Sequence, residues 1–148
     1  MNTTLSIVNL AVFRLRASKA DDVETHVEWS ATYSTTSVTG DAGDAWPVLA
    51  TIHAGGVGGW ADITVSGLLK NGDTIAVGDW ESELASSEAL ETLYDFARSH
   101  LSPLLATIDA DVPLPVLSPQ VELAAFESDS DDEPDTQSTP SASNSIAE

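Results

Sequence analysis

Strand-type patterns fill the first half of this chain, and this is the feature that most limits how it can fold. Apolar and polar residues alternate over residues 23–34, a period of two that is typical of a half-buried strand. Residues 60–69 alternate again, and residues 5–17 and 46–54 carry weaker versions of the pattern. Asn71-Gly72 then precedes another apolar run at 74–77, and an Asn-Gly pair between two such runs favours a tight hairpin. We therefore expect an antiparallel sheet of four to five strands, with Pro47 placing the start of its strand near an edge.

A single long helix pattern follows the strands and begins near Ser87. Its apolar residues recur at three- and four-residue spacing and form one stripe: Leu90, Leu93, Tyr94, Ala97, Leu101, Leu104, Leu105 and Ile108. Ser87 is a suitable N-cap for this helix. Pro103 would remove a backbone hydrogen bond within it, so we expect a kink or a restart at Ser102-Pro103. The sequence thus predicts an α+β fold in which a long amphipathic helix follows the sheet.

The charge and composition exclude several function classes. The chain has 5 Lys and Arg against 24 Asp and Glu, a formal charge of −19, which disfavours nucleic acid as a partner. Disulfides and cysteine-based metal or catalytic sites are excluded because there is no cysteine. The N-terminus has no signal-peptide pattern, and no window approaches the roughly 18 apolar residues of a membrane span. We expect a cytoplasmic protein that does not insert into membranes.

The chain divides near Phe126 into a folded domain, residues 1–126, and an acidic tail, residues 127–148. The tail contains seven of the acidic residues, no Lys or Arg, and Ile146 as its only large aliphatic residue. Such a segment cannot bury enough apolar surface to offset its ordering entropy, so we expect it to be disordered. The domain itself keeps 17 acidic against 5 basic residues, so its surface is also acidic.

No catalytic, cofactor or metal site is predicted, and we expect a protein that is not an enzyme. The glycine cluster at residues 55–59 lacks the Gly-Lys-Ser/Thr end of a phosphate-binding loop and favours a flexible strand connection. His26 lies between Glu24 and Glu28, a spacing that could hold a metal or relay a proton but also describes a solvated strand face, which we favour. His53 and His100 have no partner that spacing identifies.

A local pattern in the helix and the segment after it resembles the C-terminal half of SecB-type export chaperones. Tyr94-Asp95-Phe96-Ala97-Arg98 matches the aromatic-Pro-aromatic-x-Arg pattern of that family, with Asp95 in place of the proline. The apolar loop Val112-Pro113-Leu114-Pro115 and the following Pro119-Gln120-Val121 match its proline- and leucine-containing loop and the start of its last helix. The element order, sheet first and long helix second, agrees with the same family.

The resemblance implies an ATP-independent holdase, typically a tetramer, that binds unfolded or precursor polypeptides through apolar grooves. Its partners would include a translocase motor or, for a dedicated member, an antitoxin. The candidate client-binding residues are Trp46, Trp60, Trp80, Val112, Leu114, Val116 and Leu117. The candidate oligomer-interface residues are Val8, Leu10 and Val12, which we expect on the strand face opposite Phe13 and Leu15. The alternative is a small acidic assembly or regulatory protein that binds one folded partner through its sheet edge.

Overall fold

The computed structural model describes residues 5–126 as one sheet covered on one face by a long helix. Its strands are β1 (Ser6–Lys19), β2 (His26–Tyr33), β3 (Val38–Gly40), β4 (Gly43–Gly56), β5 (Gly59–Lys70) and β6 (Glu122–Ala125), and its α-helices are α1 (Trp80–Ala85) and α2 (Glu88–Thr107). Two short 3₁₀ turns, Gly72–Thr74 and Val77–Asp79, join β5 to α1. The predicted α+β class is confirmed, and the sheet has six strands within the described residues. The predicted tail, residues 127–148, lies outside them.

Four long strands form the body of the sheet, in the order β1-β5-β4-β2, and all their pairings are antiparallel. The two short strands extend it: β6 runs parallel to β2, and β3 pairs with β4. The sheet is therefore mixed and not purely antiparallel as expected. β4 lies in the middle of this order, so the edge position expected from Pro47 is wrong. Pro47 fits because the pairing of β4 with β2 ends at Val48, one residue away.

The core lies between the inner face of the sheet and helix α2. Ile52, Ile63 and Val65 on the central strands are fully buried, and so are Leu93 and Leu101 of the helix. The predicted stripe thus faces the sheet, packing across β5, β1 and β4. Trp29 is also buried and makes an edge-to-face contact with Tyr94, with the two ring centres 5.2 Å apart.

Helix α2 begins and continues somewhat differently from the prediction. Ser87 is its N-cap, as expected, but its hydroxyl donates a hydrogen bond backwards to the Leu84 carbonyl and does not cap the new helix. The helix runs through Pro103 to Thr107 without restarting there. The short helix expected after Pro119 is instead strand β6, because that segment pairs its backbone with β2.

The predicted hairpin at Asn71-Gly72 is wrong, and the hairpin of this sheet lies elsewhere. Asn71 does adopt the left-handed conformation, with φ of 70°, but it leads into a 3₁₀ turn and no return strand follows. Gly72 is buried against aromatic rings, since a Cβ there would lie 2.4 Å from a Trp80 ring carbon. β4 and β5 are instead joined through Val57-Gly58, where Gly58 has φ of 100°. The glycine cluster is therefore a strand connection, as expected, in the form of a tight turn.

The faces of β1 differ from the prediction because the strand contains two irregularities. Its register with β5 shifts between Val8 and Ala11 and again between Val12 and Arg14, and Asn9 has φ of 57°. Val8 pairs with Leu68, which points away from the helix, whereas Val12 pairs with buried Val65. The expectation that Val8, Leu10 and Val12 share one face is therefore wrong. Leu10 packs on the core, so a charge at this position would disturb the fold itself.

Candidate functional site

The sheet face opposite α2 is the surface on which the structure brings candidate functional residues together. This outer face carries the side chains that alternate with the buried ones along β2, β4 and β5. In the middle of this face the hydroxyls of Thr51 and Thr64 form a hydrogen bond of 2.9 Å. An apolar groove lies on one side of this pair and a polar row on the other.

The apolar groove has a volume of about 600 Å³. Its lining comes from β1, β2, β4, β5 and the residue after β6: Asn9, Phe13, Thr32, Ser34, Pro47, Val48, Leu49, Ser66, Gly67, Leu68 and Phe126. Phe13 and Phe126 are 69% and 52% exposed, which is unusual for large aromatic side chains. The irregularity of β1 near Val12 frees Phe13 from the regular alternation, a local detail that periodicity in the sequence does not reveal.

The polar row crosses four strands with one residue from each. Glu28 lies opposite His53, His53 opposite Asp62, and Asp62 opposite Arg16. Arg16 donates two hydrogen bonds to the Asp62 carboxylate, at 3.1 and 2.8 Å, and its guanidinium lies 5.7 Å from the centre of the Trp60 ring. These hydrogen bonds hold the pKa of Asp62 below its usual range. Among the described residues, His26, Glu28 and His53 are the group whose donor atoms could hold a metal ion.

The predicted client-binding residues do not form one surface. Trp46 and Trp80 are only 6% and 4% exposed and lie in contact with each other, so the exposure expected of them is wrong. Both rings pack against buried Gly72, where a Cβ would lie 2.4 Å from a ring carbon of Trp80 and 2.9 Å from one of Trp46. Trp60 is half-buried beside the polar row.

The apolar loop is divided between packed and exposed residues. Val112 and Leu114 are half-buried against the core, whereas Val116 and Leu117 are 69% and 73% exposed. The Tyr94 hydroxyl donates a hydrogen bond to the Pro115 carbonyl at 2.7 Å, and burial raises the pKa of Tyr94. The loop therefore lies against α2 and leaves two apolar side chains in solvent.

Comparisons with known proteins return no family model, curated protein or solved structure that matches this chain. Within residues 5–126, no helix combines the length and apolar character needed to cross a membrane.

Proposed function

We propose that this protein is an ATP-independent holdase that binds apolar segments of non-native polypeptides, in the manner of SecB-type chaperones. The observation that carries the proposal is the open groove of about 600 Å³ with its two exposed phenylalanines. Exposed apolar side chains that are gathered in one groove mark contact sites for other molecules, whereas scattered ones are ordinary. The clients are unfolded or precursor polypeptides. A general chaperone would deliver them to a translocase motor, whereas a dedicated chaperone would retain a single client such as an antitoxin.

The energetics of the groove suit transient retention of an unfolded chain. Burying one Phe side chain contributes about 1.5–3 kcal/mol, so two rings supply a useful but reversible affinity. The groove takes no charged residue into its lining, and the −19 charge of the whole chain keeps a loaded complex soluble through repulsion between copies.

Suppression of client aggregation tests the proposal directly. The parent protein should reduce light scattering from a heat-aggregating model client without ATP. Phe13→Ser combined with Phe126→Ser should weaken client affinity about tenfold or more, since 1.4 kcal/mol corresponds to a factor of ten. Val57→Ser is the matched control, because Val57 is 72% exposed and lies outside the groove. Full protection by the double variant would exclude the groove as the binding surface.

A second candidate function is supported by the edge of the sheet. β1 is a 14-residue strand at the end of the strand order and pairs only with β5 among the described elements. Such an edge can add a strand from one folded partner, as a small assembly or regulatory protein would. A single stoichiometric partner bound without any suppression of client aggregation would favour this function over the holdase.

A further inference from the structure

Two histidines and a glutamate that are separated in the sequence meet on the outer face of the sheet. Glu28 of β2 lies directly opposite His53 of β4, and His26 lies one step along the same face of β2. The ring centres of His26 and His53 are 5.0 Å apart. One donor atom from each of the three side chains lies within 4.8 Å of the others. Two paired strands thus present three possible ligands from one rigid surface.

Both histidines use the same ring nitrogen for a second contact. The Nδ1 of His26 lies 2.8 Å from the backbone carbonyl of Glu24, which can only accept, so this nitrogen donates its proton. The Nδ1 of His53 lies 3.5 Å from the carboxylate of Asp62. In a neutral His26 ring this contact places the proton on Nδ1 and leaves Nε2 with its lone pair. Metal-bound histidines are oriented by such a carbonyl or carboxylate partner.

The surrounding residues hold this arrangement in place. Asp62 is buried and fixed by its two hydrogen bonds from Arg16, so the partner of His53 has a defined position. Gly55 makes room for the other imidazole, because a Cβ at this position would lie 2.7 Å from the Cε1 atom of His26. A solvated polar face requires neither the anchored carboxylate nor the space left by the glycine.

We propose that His26, Glu28 and His53 bind a divalent transition-metal ion of the Zn²⁺ class. Two imidazoles and one carboxylate are a ligand set that Zn²⁺ uses with an open fourth position, whereas Mg²⁺ and Ca²⁺ require oxygen ligands. The three donor atoms, which lie within 4.8 Å of one another, must each come within about 2.0–2.2 Å of a bound Zn²⁺. Glu28 is exposed, so its carboxylate has room to rotate toward the ion. Water or an external carboxylate would complete the coordination.

Titration calorimetry of the full chain with Zn²⁺ tests the site, with excess Mg²⁺ present to occupy surface carboxylates. We expect one saturable site per chain. His26→Ala and His53→Ala should each weaken it at least about 100-fold, because loss of an outer partner alone costs 10–100-fold. His100→Ala is the matched control: it is an exposed histidine of α2 whose Nδ1 also contacts a backbone carbonyl, that of Phe96 at 2.9 Å. The control should bind as the parent does.

Two further measurements keep the test decisive if a histidine variant unfolds. Glu28→Gln changes an exposed side chain and should weaken Zn²⁺ binding. The fold, measured by circular dichroism, should be unchanged. Co²⁺ bound to the parent should show the intense visible absorption of a four-coordinate ion. Asp62→Asn should lower the affinity of the protein for Co²⁺ about 10–100-fold. The proposal is overturned if Zn²⁺ binding is not saturable in Mg²⁺, or if Glu28→Gln and the histidine variants bind as tightly as the control. Neither result bears on the groove, whose test is client aggregation.

Discussion

Asp62 is the one buried charged residue among residues 5–126, with 5% of its surface exposed. A buried carboxylate is costly unless a charged partner offsets its lost hydration, and Arg16 supplies that partner. The hydrogen bonds from Arg16 lower the pKa of Asp62 from the ordinary value of 3.8. Because the folded-state pKa is the lower one, this stabilisation is fully present above the ordinary value. It is lost as the pH falls through the lowered value.

We predict that Arg16→Gln destabilises the fold at neutral pH, because it leaves the Asp62 carboxylate buried with its main partner removed. The midpoint of thermal unfolding, measured with a chelator present, should fall at pH 7 relative to the parent. The difference should narrow as the pH falls below 3.8 towards the lowered pKa, at which Asp62 of the folded parent becomes protonated. Arg14→Gln removes the same charge on the same strand opposite Thr64 and should have little effect. Equal effects of the two substitutions at pH 7 would contradict the argument.

At the scale of elements, polar side chains of α2 hold the loop that follows the helix. The backbone amide and the hydroxyl of Ser118 both donate to the Glu91 carboxylate, at 3.0 and 2.6 Å. Glu91→Ala should therefore lower the free energy of unfolding by about 1.5–3 kcal/mol, the range for hydrogen bonds to charged groups. Hydrogen exchange at the Ser118 amide should become faster. Glu88→Ala, an exposed acidic residue in the first turn of the same helix, is the control and should leave that exchange rate unchanged.

The same loop offers a second prediction, about client binding. Val116→Ser with Leu117→Ser removes two exposed apolar side chains and should leave the unfolding midpoint nearly unchanged. If the loop contributes to client retention, this double variant should suppress the aggregation of a model client, measured by light scattering, less well than the parent does. Val112→Ser with Leu114→Ser should instead lower the unfolding midpoint, because both residues pack on the core. Unchanged client protection by the exposed pair would remove the loop from the binding surface.

The elements with sustained patterns were predictable, and those decided by tertiary contact were not. The strand over residues 23–34 and the stripe of α2 follow from periodicity, because each buries one regular face. Asn71 has the positive φ that the predicted hairpin needs but Gly72 does not, and Gly72 packs against Trp80 in a 3₁₀ turn instead. The grouping of His26 with His53 depends on strand register, for which spacing along the chain offers no signal.

For the whole molecule, the exposed edge of β1 favours self-association. A long edge strand with exposed apolar residues is a template for pairing with another chain, and Val8, Val12 and Phe13 are 38%, 39% and 69% exposed. We propose this edge as the interface of the predicted oligomer, although Val8, Leu10 and Val12, the residues first chosen for it, do not share a face. Pairing between two acidic copies must overcome charge repulsion, so added salt should strengthen it.

We predict that Val8→Lys with Phe13→Lys lowers the number of chains in the oligomer, because lysine on an edge strand opposes pairing with another edge. Native mass spectrometry should show smaller species, while circular dichroism should show the parental secondary structure. Val57→Lys introduces the same type of charge at an exposed site in the β4–β5 turn and should keep the parental mass. A parent protein that is monomeric at all salt concentrations would reject the edge as an interface.

The pairing of β1 with β5, which is the last of the long strands in the chain, also predicts an order of folding events. β4 and β5 are joined by a tight turn, and hairpins of this kind form in about 1–10 μs. β1 cannot pair until the chain has closed the loop that brings Ser6 to Lys70. During synthesis β1 therefore emerges before β5 and stays unpaired until β5 has followed it, leaving its apolar residues open to other chains. In stopped-flow measurements, substitutions in β1 should mainly accelerate unfolding, whereas substitutions in the β4–β5 hairpin should mainly slow folding.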